Sequence, residues 1–188
     1  GGPKQTILGG GHAHCGLMCY QGGAWPKEYN GKLFMGNLHG HRLNVDVIRP
    51  KGSGYEADRN PDFLLSNDKW FMPISIQTGP DGNVYMSDWY DQQICHEPKP
   101  EKWDRTNGRV FKISFKGTKP VVGLDLQKAT DEELVKYQLH ENQWYVRHAR
   151  RILQERAAAN PVSVRAVGDV LRLVLEEKNP TLRLRGLW

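Results

Sequence analysis

The sequence predicts an all-β first part followed by an α-helical second part, and three observations predict it. Up to about Lys119, short apolar runs alternate with clusters of Gly, Pro, Asn and Asp, the punctuation of strands and turns. No helix-period segment interrupts these runs, so a sandwich, barrel or propeller is expected and βαβ units are excluded. From about Ala129 the apolar residues recur at helical spacing instead.

Taken in order, an apolar run holding Cys15, Leu17, Met18, Cys19 and Tyr20 reads as the first strand. Further strands are expected within residues 33–35, 43–48, 74–76, 84–86 and 110–115. The sharpest turn is Gly79-Pro80-Asp81-Gly82. Pro presets φ, Asp caps the turn and Gly accepts a positive φ, so residues 74–87 should form a hairpin. In the second part, Thr130-Asp131-Glu132-Glu133 is a capping-box start. A second helix is expected from an Asn142 cap through Ile152 and Leu153, fraying in Ala157-Ala158-Ala159. Asn160-Pro161 should restart it, with Val164, Val167, Val170, Leu171, Val174 and Leu175 as a buried stripe. A fourth helix begins at Asn179-Pro180. The segments starting at Asn142 and Asn179 echo each other at a period of roughly 36–37 residues, near that of helical-pair solenoids such as HEAT repeats.

The net charge of +5 spreads evenly: 15 Lys and Arg against 12 Asp and Glu up to Gly123, then 11 against 9. A nucleic-acid binder concentrates its excess in one stripe, so no nucleic-acid partner is expected. No apolar run reaches the ~18 residues of a membrane span, so no transmembrane segment is expected in this stretch. The chain opens on Gly1-Gly2-Pro3, without a signal-type leader, and closes on the apolar pair Leu187-Trp188. It reads as a piece of something longer. Cys15 and Cys19, four residues apart on a strand, stand roughly 13 Å apart and cannot bridge each other; either could meet Cys95. There is no C-x-x-C-H, so no c-type haem is attached in this stretch.

The densest chemistry lies in Gly9-Gly10-Gly11-His12-Ala13-His14-Cys15-Gly16 and in Asn37-Leu38-His39-Gly40-His41-Arg42. On a strand, His-x-His places both imidazoles on one face. Two such pairs offer four ligands to a transition metal, the basis of a hydrolase alternative. Otherwise these histidines are hydrogen-bonding groups in tight Gly-bordered turns. Asp88 and Asp91, flanking Trp89-Tyr90, would either hold Ca2+ or cap the turn that ends a strand.

The segments from His12 to Gly22 (His-Ala-His-Cys-Gly-Leu-Met-Cys-Tyr-Gln-Gly), Trp25-Pro26-Lys27-Glu28-Tyr29-Asn30-Gly31-Lys32, and His39-Gly40-His41-Arg42-Leu43-Asn44 resemble the glucose/sorbosone dehydrogenase-type β-propellers. The nearest resemblance is to a membrane-bound-dehydrogenase branch of planctomycete-type bacteria, in which HEAT-like repeats follow the propeller. Phe63-Leu64-Leu65, Asp88-Trp89-Tyr90-Asp91 and Trp103-Asp104-Arg105-Thr106-Asn107-Gly108-Arg109 extend it along the chain. The two His-Gly clusters with Asp-Trp-Tyr-Asp are its most specific parts.

This resemblance implies about two propeller blades over residues 1–120 and an incomplete HEAT-like solenoid over residues 121–188. Residues 12–66 would supply one four-stranded blade and residues 70–116 a blade short of one strand, leaving an open edge beside residues 110–115. Residues 4–8 would be the outer strand of an earlier blade. The resemblance further implies an extracytoplasmic or periplasmic, membrane-associated protein that oxidises a sugar or alcohol with pyrroloquinoline quinone. There a His accepts the hydroxyl proton and basic side chains hold the quinone carboxylates. His12 and His39 are the expected catalytic groups; Arg42, with His14 and His41, is expected to contact the cofactor; the helical repeats would bind protein partners. The rival reading is a propeller-solenoid scaffold without a redox cofactor.

Overall fold

A computed structural model describes residues 13–94 and 102–188. The chain divides into two compact units, one of residues up to 79 and 83–118, the other of residues 80–82 and 119–188. The first is built on β-strands, with one short 3-10 turn at Lys27–Tyr29, and the second is helical in its main body.

The β unit contains two antiparallel sheets. In the first, β1 (His14–Cys19), β2 (Leu33–Asn37), β3 (Arg42–Lys51) and β4 (Gly54–Arg59) lie in sequence order, and the short β5 (Leu64–Leu65) also pairs with β3. In the second, β6 (Pro73–Thr78), β7 (Val84–Asp88) and β8 (Arg109–Ile113) lie in order. Neither sheet closes, and among the described residues the outer edge of β8 carries no strand. The Gly79-Pro80-Asp81-Gly82 turn joins β6 to β7, with Gly82 at φ +73°.

Alternation decides the core. Val84, Met86 and Phe34 point inward from β7 and β2 and join Leu43, Val45, Ile76 and Phe71. Tyr20 and Trp25, outside the strands, stack with ring centroids 4.6 Å apart. Tyr20 is fully buried, and its hydroxyl accepts the Ala24 and Trp25 N–H groups at 3.1 and 2.8 Å. The two sheets meet where β1 and β2 pack on β6. Glycine makes this possible: a Cβ on Gly36 would lie 2.4 Å from the Pro73 carbonyl oxygen, and one on Gly16 2.5 Å from that of Ile74.

The helical unit contains α1 (Asp131–Lys136), α2 (Gln143–Ala159), α3 (Val164–Glu176) and α4 (Pro180–Leu187). The Thr130 capping box forms in both directions: Thr130 Oγ1 accepts the Glu133 N–H, and Glu133 accepts the Thr130 N–H. Asn142 and Asn179 both cap, accepting the Trp144 and Thr181 N–H groups at 2.9 Å. Leu126, Leu134, Tyr145, Ala149 and Ile152 form its core.

Three expectations need correction. The run Ala157-Ala158-Ala159 stays helical, and the cap of α3 is Ser163, whose Oγ accepts the Ala166 N–H. Asn160-Pro161 lies between helices: Asn160 is the extended residue that ends α2, its N–H donating to the Arg156 carbonyl. The stripe on α3 is also not buried: Val164 and Leu175 are 89% and 75% exposed, and Ala166 is the one buried residue of that helix. Apolar periodicity marks the face a helix would bury, whether or not a neighbour covers it.

Candidate functional site

The candidate site lies where β1 begins, β2 ends and β3 begins. The antiparallel register places His14 opposite Asn37 and Asn37 opposite Arg42, so three polar side chains meet at one end of the sheet. Residues 38–41 form the connecting turn, and His41 adopts φ +51° there. The same-face rule for His-x-His holds on strands, so it does not apply to His39 and His41.

Behind His14 runs a chain of amides whose direction can be worked out atom by atom. The Asn37 Oδ1 accepts the Gly40 N–H at 2.7 Å, which turns its Nδ2 toward Asn44 Oδ1 at 2.8 Å. The Asn44 Nδ2 donates to Asp62 Oδ1, an acceptor-only group, so Asn44 Oδ1 must face His14. The His14 Nε2 lies 3.1 Å from that oxygen and 3.2 Å from Asn37 Nδ2. Either neutral tautomer is thereby satisfied, since Nε2 can donate to Asn44 or accept from Asn37. Asn37 and Asn44 are buried, whereas His14 itself is exposed. The imidazole is anchored through one nitrogen and open to solvent elsewhere.

Arg42 closes the network. Its Nη1 donates to Asp62 Oδ2 at 2.6 Å and its Nε to the Gly40 carbonyl at 3.0 Å. Both side chains of the pair are under a tenth exposed. The guanidinium expected to hold an anionic cofactor therefore already neutralises a carboxylate. His41 packs from the other side of the turn, its Nδ1 donating to the Phe71 carbonyl at 2.8 Å. His39 is half-buried in the same turn. His12 and Cys95 lie outside the described residues. The structure thus joins His14 to Arg42 through Asn44 and Asp62, and sets His41 against a backbone carbonyl instead.

A second polar cluster occupies the corresponding end of the other sheet. Asp88 Oδ1 accepts the Met72 and Tyr90 N–H groups, and its Oδ2 meets Arg109 Nη2 at 2.6 Å. Arg109 also reaches Asp68 at 3.3 Å and lies 3.5 Å from the Tyr90 ring centroid. Asp91 Oδ1 and Oδ2 accept the N–H groups of Gln93 and Asp104. All four oxygens accept from protein donors, so in this structure the two aspartates cap turns. Among the described residues no group of three or more His, Cys, Asp and Glu stands together as metal ligands. The Cys15 thiol donates to the Pro73 carbonyl at 3.2 Å, and burial pushes its pKa up, away from the reactive thiolate.

Beside this cluster opens a cavity of about 690 Å³ that sequence reasoning did not anticipate. Its walls include Trp89 and Trp103, both more than two-fifths exposed, with Asp104, Arg105 and Asn107. Arg105 lies over the Trp103 ring at 4.6 Å. The side-chain and backbone hydrogen bonds from Thr106, with a further one from Asn107, hold the Asp104 carboxyl below the usual range.

A family model described as a domain of unknown function, DUF7133, matches residues 5–117. That span is more than half of the chain, which belongs to this family. No curated protein and no solved structure matches it.

Proposed function

We propose that this DUF7133 chain is a portion of an extracytoplasmic, dehydrogenase-like β-propeller followed by the start of a HEAT-like solenoid, and that the intact protein oxidises a sugar or alcohol. The observation that carries this reading is the anchored, solvent-open imidazole of His14. An alcohol oxidation needs a group that takes the hydroxyl proton as the C–H bond breaks, and a neutral imidazole held in place is suited to that near pH 7. The Asn37–Asn44–Asp62 chain holds the ring through Nε2, and in the tautomer that donates Nε2–H to Asn44 the outer nitrogen is the one that accepts the proton.

The sheet order supports the blade assignment: four strands in sequence with the short β5 also on β3, then three whose outer edge carries no strand among the described residues. Two Asn caps 37 residues apart support the helical repeat. Pyrroloquinoline quinone, the acceptor that the resemblance implies, would need cations for its carboxylates. Arg42 and Arg109 do not fit that task, because Asp62 and Asp88 already neutralise them. This same neutralisation favours a second reading, a propeller-solenoid scaffold without a redox cofactor.

The experiment that separates the two reconstitutes the full-length protein with the quinone and measures dye reduction over a sugar and alcohol panel. Turnover that falls at least tenfold in His14→Gln, with a changed pH profile, supports the enzyme. If no substrate bleaches the dye, the scaffold reading replaces it.

A further inference from the structure

Within the helical unit, a cavity of about 350 Å³ is walled by apolar side chains of α2 and α3, among them Leu153, Ala166 and Val170. Arg150 of α2 and Arg185 of α4 both line it. The two arginines share one neighbour: Arg150 Nη2 lies 3.4 Å from the Gln138 side-chain oxygen, while Arg185 Nη1 donates to the backbone carbonyls of Gln138 and His140 at 2.8 and 3.0 Å. Arg150 also lies 5.3 Å from the Trp188 ring centroid. Its Nε is buried and has no hydrogen-bond partner.

Among the described residues, no carboxylate forms an ion pair with either arginine, in contrast to Arg42, Arg109 and Arg156. A guanidinium carries five N–H donors, and both arginines are half-buried, so each donor withdrawn from water without a partner is costly. Here each arginine has one terminal nitrogen paired, Arg150 Nε has no partner, and both residues line the same cavity. Burial, with the charge of Arg150 added at Arg185, pulls both guanidiniums below their usual range. The cavity thus combines two uncompensated cations with an apolar wall.

We propose that this cavity binds an organic carboxylate with an apolar body, its carboxylate held between Arg150 and Arg185 and its body against Leu153, Ala166 and Val170. A carboxylate matches the guanidinium fork in a bidentate way and removes the like-charge conflict. A neutral ligand of the same shape would fill the wall and leave the cations unpaired, so charge as well as fit sets the preference. The proposal does not depend on the dehydrogenase reading.

Calorimetric titration of the 188-residue chain with octanoate and with octanol tests it. Octanoate is expected to bind at one site at least tenfold more tightly than octanol. Arg150→Gln should weaken octanoate at least tenfold and leave octanol unchanged, with helical circular dichroism confirming the fold. Val170→Phe, which fills the wall and spares both arginines, should weaken both probes. Equal affinity for the two probes in the unaltered chain, undiminished octanoate binding by Arg150→Gln, or no octanoate binding at all would each overturn the proposal.

Discussion

Replacing Asp62 by Asn should unfold the β unit far more readily than its small change in shape suggests. The carboxylate sits 2.6 Å from Arg42 Nη1, and the two side chains are 9% and 8% exposed. The substitution keeps the volume and removes one charge, leaving a guanidinium in a site from which water is nearly excluded. Breaking a buried pair from one side costs about 3–5 kcal/mol, because the remaining charge keeps its desolvation cost. The new amide also presents its NH2 to one of two donors, Arg42 or Asn44 Nδ2, which the carboxylate had both served. With a urea slope of about 1.5 kcal/mol/M for a unit of this size, the midpoint should fall by about 2–3 M. Trp25, buried in the core of this unit, supplies the fluorescence readout. The double variant Arg42→Met with Asp62→Leu removes both charges and should recover most of the loss. A midpoint shift under about 0.7 M for Asp62→Asn, equivalent to about 1 kcal/mol, would refute the view that this pair is desolvated.

Gly36→Ala should destabilise the same unit by about 3 kcal/mol or more, since its Cβ would meet the Pro73 carbonyl oxygen at 2.4 Å and the Cys15 oxygen at 3.1 Å. An unchanged thermal midpoint would mean that the sheets do not approach so closely. In the helical unit, Arg156 and then the Ser163 N–H hold the Asp131 carboxyl below its ordinary value of 3.8. A depressed folded value contributes stability that is present above the unfolded value and lost as pH falls through the folded one. Asp131→Asn should therefore flatten the acid limb of helical circular dichroism below about pH 4; superimposable limbs in both proteins would show that the contact carries no linkage.

How much of this was legible in the sequence depends on what each residue has to face. The run at residues 84–86 became a strand with one face buried, and burial of one face is what writes alternation into sequence. The β4 strand, Gly54–Arg59, carries no such signal because every residue in it is exposed. Helix starts were readable where the cap is local, at Thr130, Asn142 and Asn179. The Ser163 cap was obscured by the stronger-looking Asn160-Pro161 just before it. At the site, the histidines and Arg42 stood out by type, but Asn37, Asn44 and Asp62, which determine what those groups can do, did not. Asn37 and Asn44 are ordinary amides until the β2–β3 register puts them side by side. Asp62 lies 20 residues from Arg42, beyond the strand that the pattern failed to show.

The two sheets place their arginines by one positional rule. Arg42 opens β3 opposite the last residue of β2, and Arg109 opens β8 opposite the last residue of β7. Those partners, Asn37 and Asp88, are both buried, and each side chain also holds a nearby backbone N–H. Each arginine is then neutralised by an aspartate: Asp62 in one sheet, Asp88 and Asp68 in the other. A role repeated at matching positions in two sheets belongs to the architecture, where it pins the end of a hairpin. It is a poor basis for ligand recognition, because a cation already paired gains little from a second anion. What differs between the two ends is the residue that opens the first strand. It is Pro73 in one sheet and His14 in the other, paired in register with Asp88 and Asn37 respectively. Proline offers no donor or base, whereas His14 brings a titratable ring to the same position, with an amide chain behind it. The two ends therefore share their arginine anchors and differ at this one position, where His14 stands in place of Pro73.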